Sequence, residues 1–504
     1  MEKLFNYRPL VLAGIVMILG ILCGYYINIT AFKILSIIAM MLIIIVSVCL
    51  CVFNKKFNKI VLGLMVQFLI FIIGFTVVLI NAGKLNASKN EIKKTNSIEC
   101  TITLAKNNGS IISLTCENIV INSNKVSGSC KISYLGNHYS VKDFSYGAKL
   151  KFNNISSRKI KIKNDNDECI FNFAFNDEEL ESVTLSKNIF IILRNKITNF
   201  IVAQNTNDFV SGLEVGMLFG EKAYVGDTIK DSFSVAGLSH LLAVSGLHVG
   251  FLLVIMNFVL NKLLKSKTKI TLIIEATFLI IYAFICDFSP SVVRASVMAI
   301  ISMYALVRGR QYDGLNALCL SAIILLFINP FTLFDVGFQL SFACVFSLFC
   351  LTGKLNFLFS KVMPLKLSSS LAVGVSATAG TFPIISYYFG SVSLLSILVN
   401  LVAIPFASVC FILLVVCVFI SMCLPFLSFI MAIPNFLYKI LARFAYSIAD
   451  LKFAIVELSL NFVGVLLFSC AIIVLGDYLF IKEKYKYGFS LILVLLCGMV
   501  ALSL

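Results

Sequence analysis

Gly237-Leu-Ser-His240-Leu-Leu-Ala-Val-Ser245-Gly246-Leu-His248-Val-Gly250 sets two of the chain's three histidines inside an apolar run that continues to Leu260. A run of that length can cross a bilayer. Polar groups at membrane depth are costly and face a bundle interior or a wet cavity. Read as one helix over about 233–260, the stretch puts Ser245 and His248 on a shared face. The two imidazoles, just over two turns apart, fall on neighbouring faces. Gly246 and Gly250 form a small-xxx-small pair that admits another backbone closely. Two uses stay open for the histidines: hydrogen bonds within a tightly packed helix, or lining and gating a hydrated route. Nucleophilic catalysis by Ser245 with His248 is not expected, because Val244-Ser245-Gly246 lacks the G-x-S-x-G elbow.

The rest of the chain agrees with a membrane setting. It is 59% hydrophobic and 13% charged, with a mean hydropathy of +0.98, whereas soluble domains carry about 25% charged residues. The fold class is therefore a polytopic α-helical membrane protein, of about ten or eleven crossings. The net charge of +16 suits cytoplasmic loops, anionic lipid or a polyanionic cargo. No G-x-x-x-x-G-K-[ST] phrase offers an ATP site, and no Cys-x-x-Cys pair or histidine cluster suggests a metal. No cofactor is expected, and no enzymatic activity.

Spans over 9–29, 31–53 and 60–81, with Lys55, Lys56 and Lys59 between the last two, form an N-terminal part, 1–81. The positive-inside rule puts the N-terminus in the cytoplasm and residues 82–185 outside. That polar insert reads as β, with short alternating runs at Ile98–Leu104, Ser110–Cys116, Val126–Tyr134, Lys149–Ile155 and Ile170–Phe175. Five short strands match a small OB-like barrel in number alone. Its lysines interleave with Tyr134, Tyr139, Phe144, Tyr146 and Phe152, a mixture that suits either single-stranded nucleic acid or a solvated surface over an aromatic core. Cys100, Cys116, Cys130 and Cys169 lie in the insert, where disulfides persist; at least one is expected, with the pairing open.

Residues 186–222 hold an amphipathic helix and a Gly-rich piece too short to span. Residues 223–504 hold the main bundle, whose basic loops keep falling on one side. Within it, Arg294, Asp335, Gln339 and Asn400 are polar where lipid would forbid it. Arg294 suits phosphate or snorkels to headgroups. Asp335 pairs with Arg294 or caps a helix. Phe331, Phe334, Phe338 and Phe342 fit one helical face. Pro383 and Pro405 suggest either broken helices, as in small-solute transporters, or packing kinks.

Several phrases together resemble the ComEC family of competence proteins: residues 237–250, Ser289-Pro290-Ser291-Val-Val-Arg294, Asn329-Pro330 with Asp335-Val-Gly-Phe-Gln339-Leu-Ser341, and Asn400 through Pro405. The resemblance covers about residues 205–450. It implies a channel in the bacterial cytoplasmic membrane that passes single-stranded DNA inward during natural transformation. His240, Ser245, Gly246, His248, Arg294, Asp335, Gln339 and Asn400 are its candidate pore residues. It further implies an extracytoplasmic DNA receptor, a cytoplasmic ATP-driven helicase and a separate nuclease, and leaves the oligomeric state open. Relatives often add a metallo-β-lactamase-like domain. This chain runs to Leu504 without an H-x-H-x-D-H phrase, so nuclease activity is not expected of it.

Overall fold

A computed structural model describes residues 9–26, 66–82 and, with short interruptions, 97–205 and 208–502. The expected span at 31–53 and the loop Lys55–Lys59 lie outside the described residues. The chain divides into two compact units, one of Met1–Ile15, Gln204–Ile328 and Thr332–Leu504, the other of Val16–Ala203 and Asn329–Phe331.

Helix α1 (Pro9–Tyr26) and helix α2 (Val66–Ala82) meet through glycines. A Cβ on Gly20 would run into the carbonyl oxygen of Phe71, and one on Gly74 would lie 2.6 Å from that of Met17. Small residues allow this backbone approach.

The insert is a curled sheet of eight strands: β1 (Ser97–Asn108), β2 (Ile111–Ile121), β3 (Asn124–Val126), β4 (Cys130–Tyr134), β5 (Lys149–Asn153), β6 (Lys161–Asp165), β7 (Glu168–Phe175) and β8 (Leu180–Thr184). Their order is β6-β7-β4-β2-β1-β5-β8, with β3 paired to β2. All five expected strands are present. β3, β6 and β8 were missed, being short and bearing Lys, Asn, Asp or Glu in place of an apolar alternation. Alternate residues of β4 (Cys130, Ile132, Tyr134) point into one core, as the period of two requires. Tyr134, Phe144 and Phe152 are buried there with Phe173 and Phe175, and Tyr139 packs against them. These aromatics are core, not a platform for bases. Lys131 and Lys149 stay exposed, and Lys151 pairs with Glu181 at 2.9 Å.

Three of the four insert cysteines, Cys100, Cys116 and Cys130, are free and buried, their Sγ atoms all within 4.8 Å of one another. Thiol hydrogen bonds from Cys100 and then Cys130 pull Cys116 down to about 5; the bond to Cys116 helps hold Cys100 well up. Cys169 belongs to β7, but its side chain lies outside the described residues.

Helix α3 (Ile189–Gln204) buries Arg194, Thr198 and Ile201. Its Asn195 Nδ2 donates to Tyr146 O at 2.9 Å, and the Arg194 guanidinium lies 3.7 Å over the Tyr146 ring.

The second body is helical: α4 (Asp208–Phe219), α5 (Asp227–Val235), α6 (Gly246–Asn257), α7 (Thr268–Ile285), α8 (Pro290–Val307), α9 (Gly314–Ile328), α10 (Val336–Phe359), α11 (Leu365–Phe389), α12 (Ser396–Cys423), α13 (Ala432–Ala449), α14 (Phe462–Leu475) and α15 (Glu483–Leu502). Strands β9 (Ser391–Ser393) and β10 (Ile455–Glu457) pair antiparallel within it. Among the described residues, five stretches are long and apolar enough to cross a membrane: Pro290–Val307, Val336–Phe359, Leu365–Phe389, Ser396–Cys423 and Pro425–Ala449. At about 1.5 Å per residue, even the shortest approaches the bilayer's ~30 Å core. The short helix α4 is buried from Val210 to Phe219, so protein covers it.

Two expectations about continuity are corrected. Helices α11 and α12 run unbroken through Pro383 and Pro405. The break lies instead in the stretch read as one helix over 233–260. There α5 ends, Ser239–Leu242 forms a 3-10 turn, Ala243 and Ser245 are extended, and α6 starts at Gly246.

Gly74→Val is expected to push α1 from α2, since a carbonyl cannot yield to a branched side chain. Overpacking costs about 1–3 kcal/mol, read as a lower melting temperature in detergent. Gly498→Ala, in open space, serves as the unaffected control.

Candidate functional site around the start of helix α6

The break is built from its own sequence. Gly237 adopts φ +74°, a backbone conformation open to glycine. With it, Gly237 N–H returns to Ser234 O at 3.0 Å and Leu238 N–H to Phe233 O at 2.7 Å, a Schellman close to α5. A Cβ on Gly237 would also meet Ser396 Cβ at 2.5 Å. Ser245 then caps α6. Its N–H donates to His248 Nδ1 at 3.0 Å, and its carbonyl accepts from His248 N–H at 3.1 Å. The Ser245 and His248 side chains complete a capping box.

That pairing fixes the state of His248. Nδ1 accepts, so the imidazole is neutral with its proton on Nε2. The ring is buried and stacks on Phe411 of α12, centroids 4.6 Å apart. Ser245 and His248 therefore start a helix, and His248 is sealed rather than lining an open cleft. His240 sits on the 3-10 turn and is exposed. The two histidines belong to different elements.

Arg294 on α8 is 7% exposed. Its Nε donates to Ser341 Oγ on α10 at 2.8 Å. The guanidinium carbon lies 6.0 Å from the Phe342 ring, and Nη1 lies 4.0 Å from Met298 Sδ. A Cβ on Gly246 would stand 3.0 Å from Arg294 Nη2 and 3.5 Å from Ala295 Cβ. The missing side chain of Gly246 thus admits the guanidinium to the first turn of α6. A Cβ on Gly250, by contrast, would meet nothing within 4 Å among the described residues, so of the small-xxx-small pair it is Gly246 that admits a close neighbour there.

Among the described residues, no carboxylate lies within ion-pair distance of Arg294. Asp335 does not reach it; its Oδ1 accepts from Phe338 N–H at 2.7 Å and caps α10. Gln339 Nε2 donates to Leu333 O at 3.0 Å, holding the turn before that helix. The four phenylalanines do not share one helical face, because Phe331 and Phe334 fall in that 3-10 turn. Phe338 and Phe342 stack at 4.2 Å. Asn400 lies within α12, and its buried Oδ1 has no hydrogen-bond partner among the described residues. The structure thus gathers Ser245, Gly246, His248 and Arg294, sets Asp335 and Gln339 to work at the start of α10, and leaves His240 on the 3-10 turn and Asn400 within α12.

Sequence reading missed Ser341 as the partner of Arg294, and Glu214. Glu214 is fully buried on α4, with Oε2 accepting from Asn205 Nδ2 at 2.8 Å. A carboxylate within the apolar run 209–219 was the available signal.

Apolar helices in this number, around a capped break and a buried guanidinium, define a polytopic membrane protein. Residues 217–482, more than half of the chain, match the family described as Competence protein, and the chain belongs to that family. It is 32% identical over 213 residues to ComE operon protein 3 of Bacillus subtilis, covering 42% of this chain and 26% of that protein. It is 27% identical over 143 residues to Recombination protein 2 of Haemophilus influenzae, covering 27% and 18%. It is also 27% identical over 204 residues to Competence protein ComA of Neisseria gonorrhoeae, covering 39% and 28%. The chain spans between about a fifth and just over a quarter of the length of these curated relatives. No solved structure matches.

Ser245→Ala is expected to cost about 1 kcal/mol through the lost cap, and Ser245→Asp to restore most of it. Thermal melting of the three proteins in detergent checks this. Equal melting temperatures would show that α6 starts without the cap.

Proposed function

We propose that this chain forms the inner-membrane path by which one strand of DNA enters the cytoplasm during transformation. Membership of the competence family supports the process. The observation that carries the reading is Arg294, held at the start of α6 without a carboxylate partner among the described residues. A helix N-terminus carries about half a positive charge. The N–H groups of Gly246 and Leu247 have no partner among the described residues, since Ser245 O takes those of His248 and Val249. A guanidinium beside two such donors suits a phosphate, which accepts from both.

Arginine keeps its charge at any working pH, so the spot stays positive as successive phosphates pass. Transport needs attraction weak enough for release, and a single guanidinium with two amides is such a site. A polyanion crosses hydrocarbon only along a wet, polar route; the exposed turn bearing His240 would lie on it. The chain does no chemistry of its own in this scheme. Force comes from a cytoplasmic ATP-driven helicase-type partner, and a separate nuclease removes the other strand. The N-terminus lies in the cytoplasm and the β-domain outside, as an OB-like module that receives DNA from a receptor. Ten or eleven crossings form when the shorter apolar helices also span.

A charge-assisted hydrogen bond is worth roughly 1.5–3 kcal/mol. Arg294→Met, at normal protein level in the membrane, should therefore lower uptake of labelled DNA about ten- to hundredfold. Arg294→Lys should fall between. Undiminished uptake by Arg294→Met would remove the site from the path.

A further inference from the structure

The three buried cysteines of the β-domain come from three neighbouring strands. Cys100 lies on β1, Cys116 on β2 and Cys130 on β4. Cys116 and Cys130 are directly opposite in the β2–β4 pairing, and Cys116 faces Ile102 across β1–β2. Curling of the sheet brings all three sulfurs to one place in the core, each within 4.8 Å of the other two, with exposures of 2%, 0% and 0%. A cysteine used as a small hydrophobe needs no such convergence, because its neighbours can be any apolar group. Here Ile98, Ile102, Leu114 and Ile132 supply ordinary packing around it, yet the thiols meet one another.

We propose that Cys100, Cys116 and Cys130 form a closed thiolate site for a thiophilic d10 ion, zinc(II) or copper(I). Three sulfurs at about 2.3 Å from zinc stand about 4 Å from each other, so closure needs movements on the order of an ångström. Soft thiolate ligands select zinc and copper(I) over calcium, magnesium or manganese. The ion displaces protons without any change of oxidation state. Zinc(II) with three thiols gives a trithiolate of net charge −1 and three released protons. Copper(I) bound by two thiolates and one thiol gives the same net charge with two released protons. Sealed from water, the site is structural and ties β1, β2 and β4 together. A disulfide serves the cluster less well: it uses two sulfurs and leaves the third within reach of thiol–disulfide exchange. The site stands whether or not the chain carries DNA.

The test uses the full chain, purified in detergent under reducing conditions and stripped with chelator. It is then loaded with zinc(II), copper(I) or cobalt(II), the last as a spectroscopic probe. About one zinc or copper per chain is expected by mass spectrometry of the metal, with thiolate-to-cobalt charge transfer in the near ultraviolet. Competition with a zinc-selective and a copper(I)-selective chelator tells which ion the site holds more tightly, and either result supports it. The bound ion should protect Cys100, Cys116 and Cys130 from alkylation, while exposed Cys423 reacts as before. Cys116→Ala should abolish binding, and Cys423→Ala should leave it unchanged. The alkylation arm needs no variant, so a misfolded substitution does not blunt the test. Absence of binding by the unmodified chain overturns the site, as does binding without protection of these thiols. A second preparation, isolated without reductant and with free thiols blocked at lysis, also overturns it if mass spectrometry shows a disulfide among Cys100, Cys116 and Cys130.

Discussion

Between Val235 and Gly246 the backbone leaves the helical path inside an apolar bundle, and the site follows from how its loose N–H and C=O groups are satisfied. Buried backbone groups without partners cost several kcal/mol in lipid-like surroundings. The outgoing end closes through Gly237 and Leu238 onto α5, and the incoming end through the Ser245–His248 box on α6. Both closures consume polar groups that otherwise suggest chemistry. The serine and histidine three residues apart satisfy a helix end, and the histidine is held neutral by doing so. What the box leaves over, the first two N–H groups of α6, is what Arg294 stands beside.

The polar residues of this site were legible in the sequence, and their relations were only partly so. Arg294, Ser245 and His248 announce themselves by sitting in apolar runs, which is a local property. The Schellman close at Gly237 was locally encoded too, but the apolar residues on both sides continue a helical pattern and hide it. Hydrophobicity reports surroundings, not backbone hydrogen bonding, so one run of 28 residues was read where two elements and a turn exist. The prolines left a break and a packing kink equally open, and the structure excludes the break. Pro383 and Pro405 lack one N–H each, yet residues of α11 and α12 flank them without interruption, because packing from neighbouring helices outweighs a missing bond. The Arg294–Ser341 bond spans 47 residues, and no spacing rule reaches that far.

In the β-domain the same division holds. Alternation revealed the strands that bury a face, such as β2 and β4, because the period of two is written in the residues themselves. β6 and β8 end the sheet, and their lysines and acids break up the apolar alternation. The aromatics among the lysines were recognisable as either core or binding platform. Only strand register, which a one-residue slip reverses, decides that Tyr134 and Phe152 point inward. The convergence of Cys100, Cys116 and Cys130, which lie sixteen and fourteen positions apart along the chain, resembles no ligand motif. It arises from pairing of strands, not from spacing along one.

A charge at position 294 is not something the fold asks for. A methionine would occupy the same room beside Met298 and Phe342, keep α8 packed on α10, and avoid the penalty of burying a cation. Replacing buried ionic groups with apolar ones of similar size is often neutral or stabilising, and this cation also faces the positive end of a helix. Ser341 offers it only a neutral hydroxyl. Two unfavourable terms therefore act on Arg294, and the described residues supply no anion against them. Such an arrangement is sensible when the missing negative charge arrives from outside, bound for a moment and passed on.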